Sequence, residues 1–247
     1  MISSLRRGGG NIHRDSFSIL YRFAQFLLLF FTLCAICGCQ RASGVSTTVL
    51  KDDGNVVFKR IAVVPFQAIR QEDADIKTAR CPVCGLVFRT ESYAKGSETI
   101  VEGIFLDHLK NEKAFALIPP DRVGGVYEGV TGALFKADLL AVLKKVGTEL
   151  EADGIILGYV YRFKERKGFS LSVEKPASVA FEIHLIRVSD GAIVWRGVFD
   201  KTQTSLMENL LQIASFLKGG GKWVIAKELA AEGMDEVLKD FPGVKHE

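Results

Sequence analysis

The longest hydrophobic run of the chain lies near its amino terminus. Residues 23–36 read FAQFLLLFFTLCAI, which is 14 residues long. This is the length of the apolar core of an export signal, whereas a membrane-spanning helix needs about 20 residues. The residues before the run are basic, as positive-inside orientation requires. Their charges come from Arg6, Arg7, Arg14 and Arg22. We therefore predict that residues 1–38 are a signal peptide.

The residues that follow this run, Ile36-Cys37-Gly38-Cys39, resemble the bacterial lipobox. The resemblance implies cleavage between Gly38 and Cys39, a diacylglycerol on the thiol of Cys39, and a further acyl lipid such as palmitate on the same residue. Lipoproteins of this kind stay at the inner membrane chiefly when Asp follows the cysteine, and here Gln40 follows. We expect the outer membrane, with the domain facing the periplasm. The alternatives are an ordinary signal peptide with an incidental cysteine, or an uncleaved anchor.

Residues 39–58 are polar and read as a flexible tether. A domain is expected over residues 59–243, since 48% of the chain is hydrophobic. Its first half alternates strands with helices: Arg60–Phe66 and Ala114–Ile118 are predicted strands. Residues 67–96 are predicted to form a long loop. Helical spacing appears at Val101, Ile104, Phe105 and Leu109 after Ser97, and at Leu139, Leu143, Val146 and Leu150 after a glycine-rich loop.

The second half reads as a β-meander. Gly154–Phe163 and Ser178–Val188 alternate apolar and other residues, and Asp190-Gly191 predicts a hairpin turn before Ala192–Phe199. The side chains predicted to share a face are Ile155, Leu157, Tyr159, Tyr161 and Phe163 in the first strand, and Val179, Phe181, Ile183 and Leu185 in the second.

Two helices are predicted at the carboxyl end. Ser205–Glu208 matches a capping box and opens a helix that ends at Gly219-Gly220-Gly221. The last helix carries a stripe formed by Trp223, Ala226, Ala230, Met234, Val237 and Phe241. The predicted order is β-α-β-α-β-β-β-α-α, an α+β domain with helices packed on a mixed sheet.

This order, with RIAVVPF at its start, EADGIILGYV after the second helix and the DGAIVW hairpin, resembles a group of envelope lipoproteins. The group includes the curli secretion channel lipoprotein, the lipoprotein activators of penicillin-binding proteins and the amino-terminal domain of TolB. The resemblance covers roughly residues 59–200. It rests on hydrophobic strands, so it implies a fold more strongly than a function.

Charge argues against nucleic acid as a partner. The whole chain has 32 basic and 29 acidic residues, but its first 38 residues hold four arginines and one aspartate. Removing them leaves 28 of each sign. A balanced chain has no broad positive field that would attract phosphate backbones.

The motif with chemical potential is Cys81-Pro-Val-Cys84-Gly85. A zinc knuckle would use two such thiolates, but a structural zinc needs four ligands, and the remaining histidines are His108, His184 and His246. Four cysteines shared across a dimer, or a redox pair, are alternatives. We predict instead that Cys81 and Cys84 bind no metal and form a local disulfide or a reduced pair that holds the loop in place.

Other candidate motifs favour structure over chemistry. His184 is predicted to be a solvated residue on the polar side of its strand. Gly219-Gly-Gly-Lys222 lacks the spacing of a phosphate loop, and no catalytic motif is present. The aromatic residues Tyr159, Tyr161, Phe163 and Trp195 are expected in the core rather than on an exposed binding face.

The sequence therefore predicts a non-enzymatic lipoprotein without a cofactor other than its lipid. Its expected partners are the membrane and a periplasmic or outer-membrane protein, in assembly, transport or wall synthesis. Self-association is left open. An oligomeric secretion channel is one alternative, which would place membrane hairpins within Tyr161–Ile186. A redox or metal-binding lipoprotein that uses Cys81 and Cys84 is the other.

Overall fold

A computed structural model describes residues 44–49, 57–69, 75–91, 94–110, 112–169, 172–203 and 223–242, together with Gln25. The chain divides into two units, residues 1–42 and 43–247. Apart from Gln25, the described residues belong to the second unit. The lipobox and the helix predicted after Ser205 lie outside the described residues.

The elements follow one another in this order. The strands are β1 (Gly44–Val49), β2 (Arg60–Val63), β3 (Gln67–Ala68), β4 (Thr78–Arg80), β5 (Val87–Arg89), β6 (Ala116–Leu117), β7 (Gly154–Lys164), β8 (Lys167–Phe169), β9 (Ser172–Lys175), β10 (Ser178–Arg187) and β11 (Ile193–Thr202). The helices are α1 (Ser97–Leu109), α2 (Pro120–Ala133), α3 (Leu139–Leu150) and α4 (Ala226–Leu238). Among these helices none is long and apolar enough to cross a membrane.

Seven of the strands form one mixed sheet. Its main path is β1-β11-β10-β7-β2-β6, and β3 pairs with β7 as well. β2 runs parallel to both β6 and β7, whereas β1, β7, β10 and β11 pair antiparallel. The pairs β4-β5 and β8-β9 are separate hairpins.

Helices cover both sides of this sheet. On the side that we call the first face, α1 and α4 pack against β7, β10 and β11 and share one apolar core. On the opposite side, the second face, α2 contacts β2 and α3 contacts β7. The predicted α+β class, with helices packed on a mixed sheet, is confirmed.

Strand β10 lies between β7 and β11, and all of its residues except Arg187 are buried. Val179, Phe181, Ile183 and Leu185 join the core of the first face, as their alternation predicts. The residues between them belong to the second face. The segment Tyr161–Ile186, which the channel hypothesis would use as a membrane hairpin, includes the end of β7 and most of β10, and both strands are largely buried in this fold.

Helices α1 and α4 confirm their predicted stripes. α1 buries Val101, Ile104, Phe105 and Leu109. α4 buries Ala226, Ala230, Met234 and Val237 among its residues, and Phe241 lies in the same core just after the helix. Both helices bury apolar surface against the first face, which is the main stabilising contribution expected of an amphipathic helix.

Part of the predicted tether is instead a strand. β1 pairs with β11 in unbroken register from Gly44↔Asp200 to Val49↔Trp195. The segment GVSTTV is rich in β-branched residues, which suit a pleated surface. β11 would otherwise be the edge of the sheet, so β1 satisfies its outer backbone groups.

The glycine-rich loop predicted before Leu139 is mostly helix α2. Pro120 stands at the start of this helix, where its missing N–H costs nothing, and Asp121 follows in the first turn. Val123 and Val130, seven residues apart, lie buried on one side. Tertiary burial of this stripe outweighs the low helix propensity of its glycines.

Two smaller departures concern strands. The predicted loop over residues 67–96 contains β3, β4 and β5, which were missed because each is only two or three residues long. A bulge in the pairing of β7 with β10 lies between Ala180 and Phe181, so Ala180 faces Arg162 while Phe181 faces Val160. As a result Phe163 joins the core of the first face, whereas Tyr159 and Tyr161 join the second.

Candidate functional site

The motif CPVCG forms the turn of the hairpin β4-β5. Cys81 donates its N–H to Leu86 O at 2.7 Å, and Gly85 donates its N–H to Cys81 O at 3.0 Å. Gly85 has a φ of +76°, a conformation that favours glycine. Inside the turn, the N–H groups of Val83 and Cys84 point at Cys81 Sγ from 3.3 and 3.5 Å. The backbone therefore presents two donors to the sulfur of Cys81.

This hairpin is docked on the second face by an aromatic stack. The rings of Phe88 and Tyr161 lie 3.9 Å apart with an interplanar angle of 9°. Both side chains are buried, and Ala79 is buried beside them in the same core. Arg162 also donates from Nη1 to Arg89 O at 3.1 Å. The docking brings the turn against the part of β10 that carries Glu182 and His184.

Four side chains meet where the turn contacts β10. Cys84 Sγ lies 3.0 Å from Glu182 Oε1, His184 Nε2 lies 3.2 Å from the same oxygen, and Cys81 Sγ lies 3.9 Å from His184 Nε2. Cys81, Cys84, Glu182 and His184 each offer one ligand atom, and these four atoms all lie within 4.8 Å of one another. We call this set the four-residue cluster.

The cluster is enclosed. Glu182 and His184 have no exposed surface, Cys81 is 2% exposed and Cys84 is half-buried. The prediction that His184 is a solvated residue is therefore wrong, because the hairpin covers the polar side of its strand. Both thiols are free in this structure, so the predicted disulfide between Cys81 and Cys84 stays a prediction.

The charges in the cluster stabilise one another. Burial opposes a charge on His184, but hydrogen bonds with Cys81, Cys84 and Glu182, together with the charge of Glu182, raise its pKa to about 11. Burial would raise the pKa of Cys81 and of Glu182, but their contacts with His184 lower both below the ordinary values. Contact with His184 thus favours the thiolate form of Cys81 and the carboxylate form of Glu182.

Two further side chains, Tyr161 and Arg196, interact with the carboxylate of Glu182. Tyr161 donates its hydroxyl to Glu182 Oε2 at 3.1 Å, leaving Oε1 directed at the cluster. Burial, and then the charge of Glu182, raise the pKa of Tyr161 far above its ordinary value, so the hydroxyl remains a donor. Arg196 Nε lies 4.0 Å from Glu182 Oε1 and contributes a positive charge.

The ligand types limit what this cluster can do. Two sulfurs, one imidazole nitrogen and one carboxylate oxygen are the donors that zinc prefers in proteins. A redox pair of the thioredoxin type places its reactive cysteine at a helix amino terminus, whereas here both cysteines lie in a turn between strands. With its members so deeply buried, the cluster offers little access to a substrate.

Comparison with known proteins gives structural similarity alone. No family model matches this chain. No curated protein matches it either. The PelC dodecamer from Paraburkholderia phytofirmans is similar at 13% identity and a TM-score of 0.46, covering 82% of this chain and 99% of that one.

Two more solved structures show weaker similarity. The LpoB C-terminal domain from Escherichia coli has 13% identity and a TM-score of 0.38, over 63% of this chain and 90% of that one. Lipoprotein GNA1162 from Neisseria meningitidis has 13% identity and a TM-score of 0.36, over 66% of this chain and 99% of that one. At this level of similarity no residue role transfers to this chain.

The remaining predicted candidates are not members of the four-residue cluster. Cys39, His246 and the Gly219–Lys222 segment fall outside the described residues. His108 lies on α1 and bonds Asp235 of α4 through Nε2 at 2.6 Å. Tyr159, Tyr161, Phe163 and Trp195 are buried in the core, as expected.

The sequence alone indicates too few zinc ligands, because it does not reveal that the CPVCG turn packs against strand β10. Glu182 and His184 are two residues apart, so on a strand they point to the same side. Such a pair alternating with three large apolar residues, in a chain that also carries CxxC, is a signal for the missing ligands. Only the fold shows that β4-β5 covers this strand.

Proposed function

We propose that this protein is a lipid-anchored envelope protein without enzymatic activity, whose domain faces the periplasm from the outer membrane and binds another envelope component. The observation that carries the proposal is the lipobox-like sequence Ile36-Cys37-Gly38-Cys39 directly after an apolar run of signal length. Acyl chains on Cys39 would each add about 0.8 kcal/mol per buried CH₂, which makes an anchor that dissociates very slowly.

The described domain is compatible with this role. Its titratable cluster is buried beneath a hairpin, and its apolar side chains fill two cores on either side of one sheet. One similar solved structure, GNA1162 from Neisseria meningitidis, is named a lipoprotein. The role in assembly, transport or wall synthesis follows from the anchor and from the sequence resemblance.

Acylation is tested by growing cells that express the full chain with labelled palmitate. We expect label in the wild-type protein and none in Cys39→Ala. Cys37→Ala is the matched control, because it removes the neighbouring thiol and leaves a small residue before Gly38, so it should still be labelled. Label that persists in Cys39→Ala, or that is missing from the wild type, would overturn the anchor.

Partner binding needs a separate measurement. Crosslinking in intact cells, followed by purification of the full chain from detergent-solubilised membranes, should recover one defined envelope protein. The Cys39→Ala protein should recover much less of it, since it is no longer held at the membrane. Recovery of no specific protein from the wild-type chain would contradict the binding role while leaving the anchor intact.

A further inference from the structure

We propose that Cys81, Cys84, Glu182 and His184 bind one Zn²⁺ ion, which fixes the hairpin β4-β5 to strand β10. This site is independent of the envelope function proposed above, and each can fail without the other. It differs from the metal-free prediction because the fold supplies two ligands that lie about 100 residues away from the CxxC turn.

The distances suit tetrahedral coordination. Ligand atoms placed 2.0 to 2.3 Å from a central zinc ion, at tetrahedral angles, are separated from one another by about 3.3 to 3.8 Å. The measured separations of 3.0, 3.2 and 3.9 Å lie close to this range, and the widest separation in the cluster is within 4.8 Å. Small side-chain shifts would therefore bring all four atoms into the coordination sphere.

The ligand set selects the kind of ion. Two thiolates disfavour Mg²⁺ and Ca²⁺, which prefer oxygen ligands, and a set of sulfur and nitrogen donors in tetrahedral arrangement suits zinc. Four protein ligands also complete the coordination sphere. Such a closed site is structural, since a catalytic zinc keeps one position for water or substrate.

The surroundings complete the electrostatics of the site. Zinc binding releases the protons that the two thiols and His184 carry, so His184 ligates as a neutral imidazole. The two thiolates and one carboxylate then carry three negative charges, of which Zn²⁺ balances two. Arg196, 4.0 Å from Glu182 Oε1, offsets the third. The amides of Val83 and Cys84 donate toward Cys81 Sγ, and Tyr161 orients Glu182 through Oε2. Outer contacts of this kind orient zinc ligands in known sites.

A structural role follows from where the ligands lie. Cys81 and Cys84 belong to the turn, whereas Glu182 and His184 belong to the central strand β10. The hairpin is otherwise held by the stack of Phe88 on Tyr161 and by a few hydrogen bonds. The ion would couple a short hairpin to a strand that is buried in all residues but one, and binding would add to the stability of the fold.

The direct test measures metal in the full chain, purified in detergent without chelator. Elemental analysis should find about one zinc per chain. After exchange for Co²⁺, the visible spectrum should show the bands of tetrahedral cobalt with a thiolate charge-transfer band in the near ultraviolet. Less than about one-tenth of a zinc per chain after incubation with Zn²⁺ and reductant would overturn the proposal, as would stoichiometric binding of another metal in preference to zinc.

Ligand variants locate the ion. Cys84→Ser and Glu182→Gln should each weaken zinc binding by more than about 100-fold, because changes to outer-shell groups alone cost about 10- to 100-fold. Glu102→Gln is the matched control for Glu182→Gln. Glu102 is a partly buried glutamate outside the cluster, and it accepts a hydrogen bond from the Phe66 N–H at 2.9 Å. His108→Ala is the matched control for the ligand variant His184→Ala, because His108 lies outside the cluster.

Tyr161→Phe tests the site without removing a ligand. It deletes only the hydroxyl that bonds Glu182 Oε2 and keeps the ring that stacks on Phe88. We expect about a 10-fold or greater loss of zinc affinity with unchanged circular dichroism. Ligand variants that fold and still bind zinc as tightly as the wild type would assign the ion elsewhere and overturn the proposed site.

Discussion

The two faces of the sheet have different kinds of contact with their covering elements. On the first face, α1 and α4 pack over apolar side chains of β7, β10 and β11. On the second face, a hairpin covers Glu182 and His184, which are as fully buried as the apolar residues beside them. The stability of the first face depends on buried apolar area, whereas that of the second also depends on how its buried charges are matched.

The largest expected effect comes from the first face. Trp195 has no exposed surface and packs edge-on against Phe241, with ring centroids 4.9 Å apart. Trp195→Ala should lower the free energy of unfolding by about 3 to 5 kcal/mol because it leaves a large cavity. Equilibrium unfolding in urea measures this loss. The loss should be the same with and without a metal chelator. A loss that depends strongly on chelator would contradict the view that the first face is stabilised by apolar burial alone.

Phe169→Ala is the control for this measurement. Phe169 is 82% exposed on the separate hairpin β8-β9, so removing its ring should change stability by less than about 0.5 kcal/mol.

The second face should respond to Phe88→Leu. This substitution keeps an apolar side chain of moderate size but removes the stack on Tyr161. We expect a loss of about 0.5 to 1.5 kcal/mol, the range found for aromatic pairs. Hydrogen exchange of the Cys81–Gly85 amides should become faster than in the wild type, and chelator should accelerate it further. Unchanged exchange in this turn would mean that the stack does not hold the hairpin.

The smallest effect concerns the contact between the two helices of the first face. Burial opposes a charge on His108, but its hydrogen bonds with Ile104 O and Asp235 raise its pKa above the ordinary value. Because the folded pKa is raised, the stabilisation is complete below about pH 6.5 and is lost as pH rises through the folded pKa. Asp235→Asn should therefore cost about 0.5 kcal/mol at pH 5.5 and close to nothing at pH 9.

Urea unfolding at the two pH values measures the difference. Glu236→Gln is the matched control, since Glu236 pairs with Lys239 on the exposed side of α4 and does not contact His108. An equal cost of Asp235→Asn at both pH values would show that the charge of His108 does not contribute.

Much of the first face could be predicted from the sequence. The stripes of α1 and α4 and the alternation of β10 are periodic over ten or more residues, and long periodic patterns identify their elements well. The second face was harder to predict, because β4 and β5 have three residues each and α2 contains four glycines. These elements are determined by their tertiary contacts, and the local sequence pattern does not predict those contacts.

The candidate site shows the same division. The sequence indicated Cys81 and Cys84 through their spacing, but it assigned His184 to solvent because a polar residue on an alternating strand usually faces water. The spacing of the cysteines correctly indicated a possible site. The burial of His184 could not be predicted, because it depends on the hairpin β4-β5 that covers it. The ligands come from segments about 100 residues apart, and only tertiary structure joins them.

The burial of Cys81 beneath its own hairpin has a consequence for maturation. In an oxidising compartment such as the periplasm, two thiols separated by two residues are open to oxidation while the chain is unfolded. Once β4-β5 closes on the sheet, Cys81 is 2% exposed and an oxidising enzyme can no longer reach it. For the exported, zinc-binding protein proposed above, the state of the two sulfurs would therefore be decided during folding, by whether zinc capture or oxidation is faster.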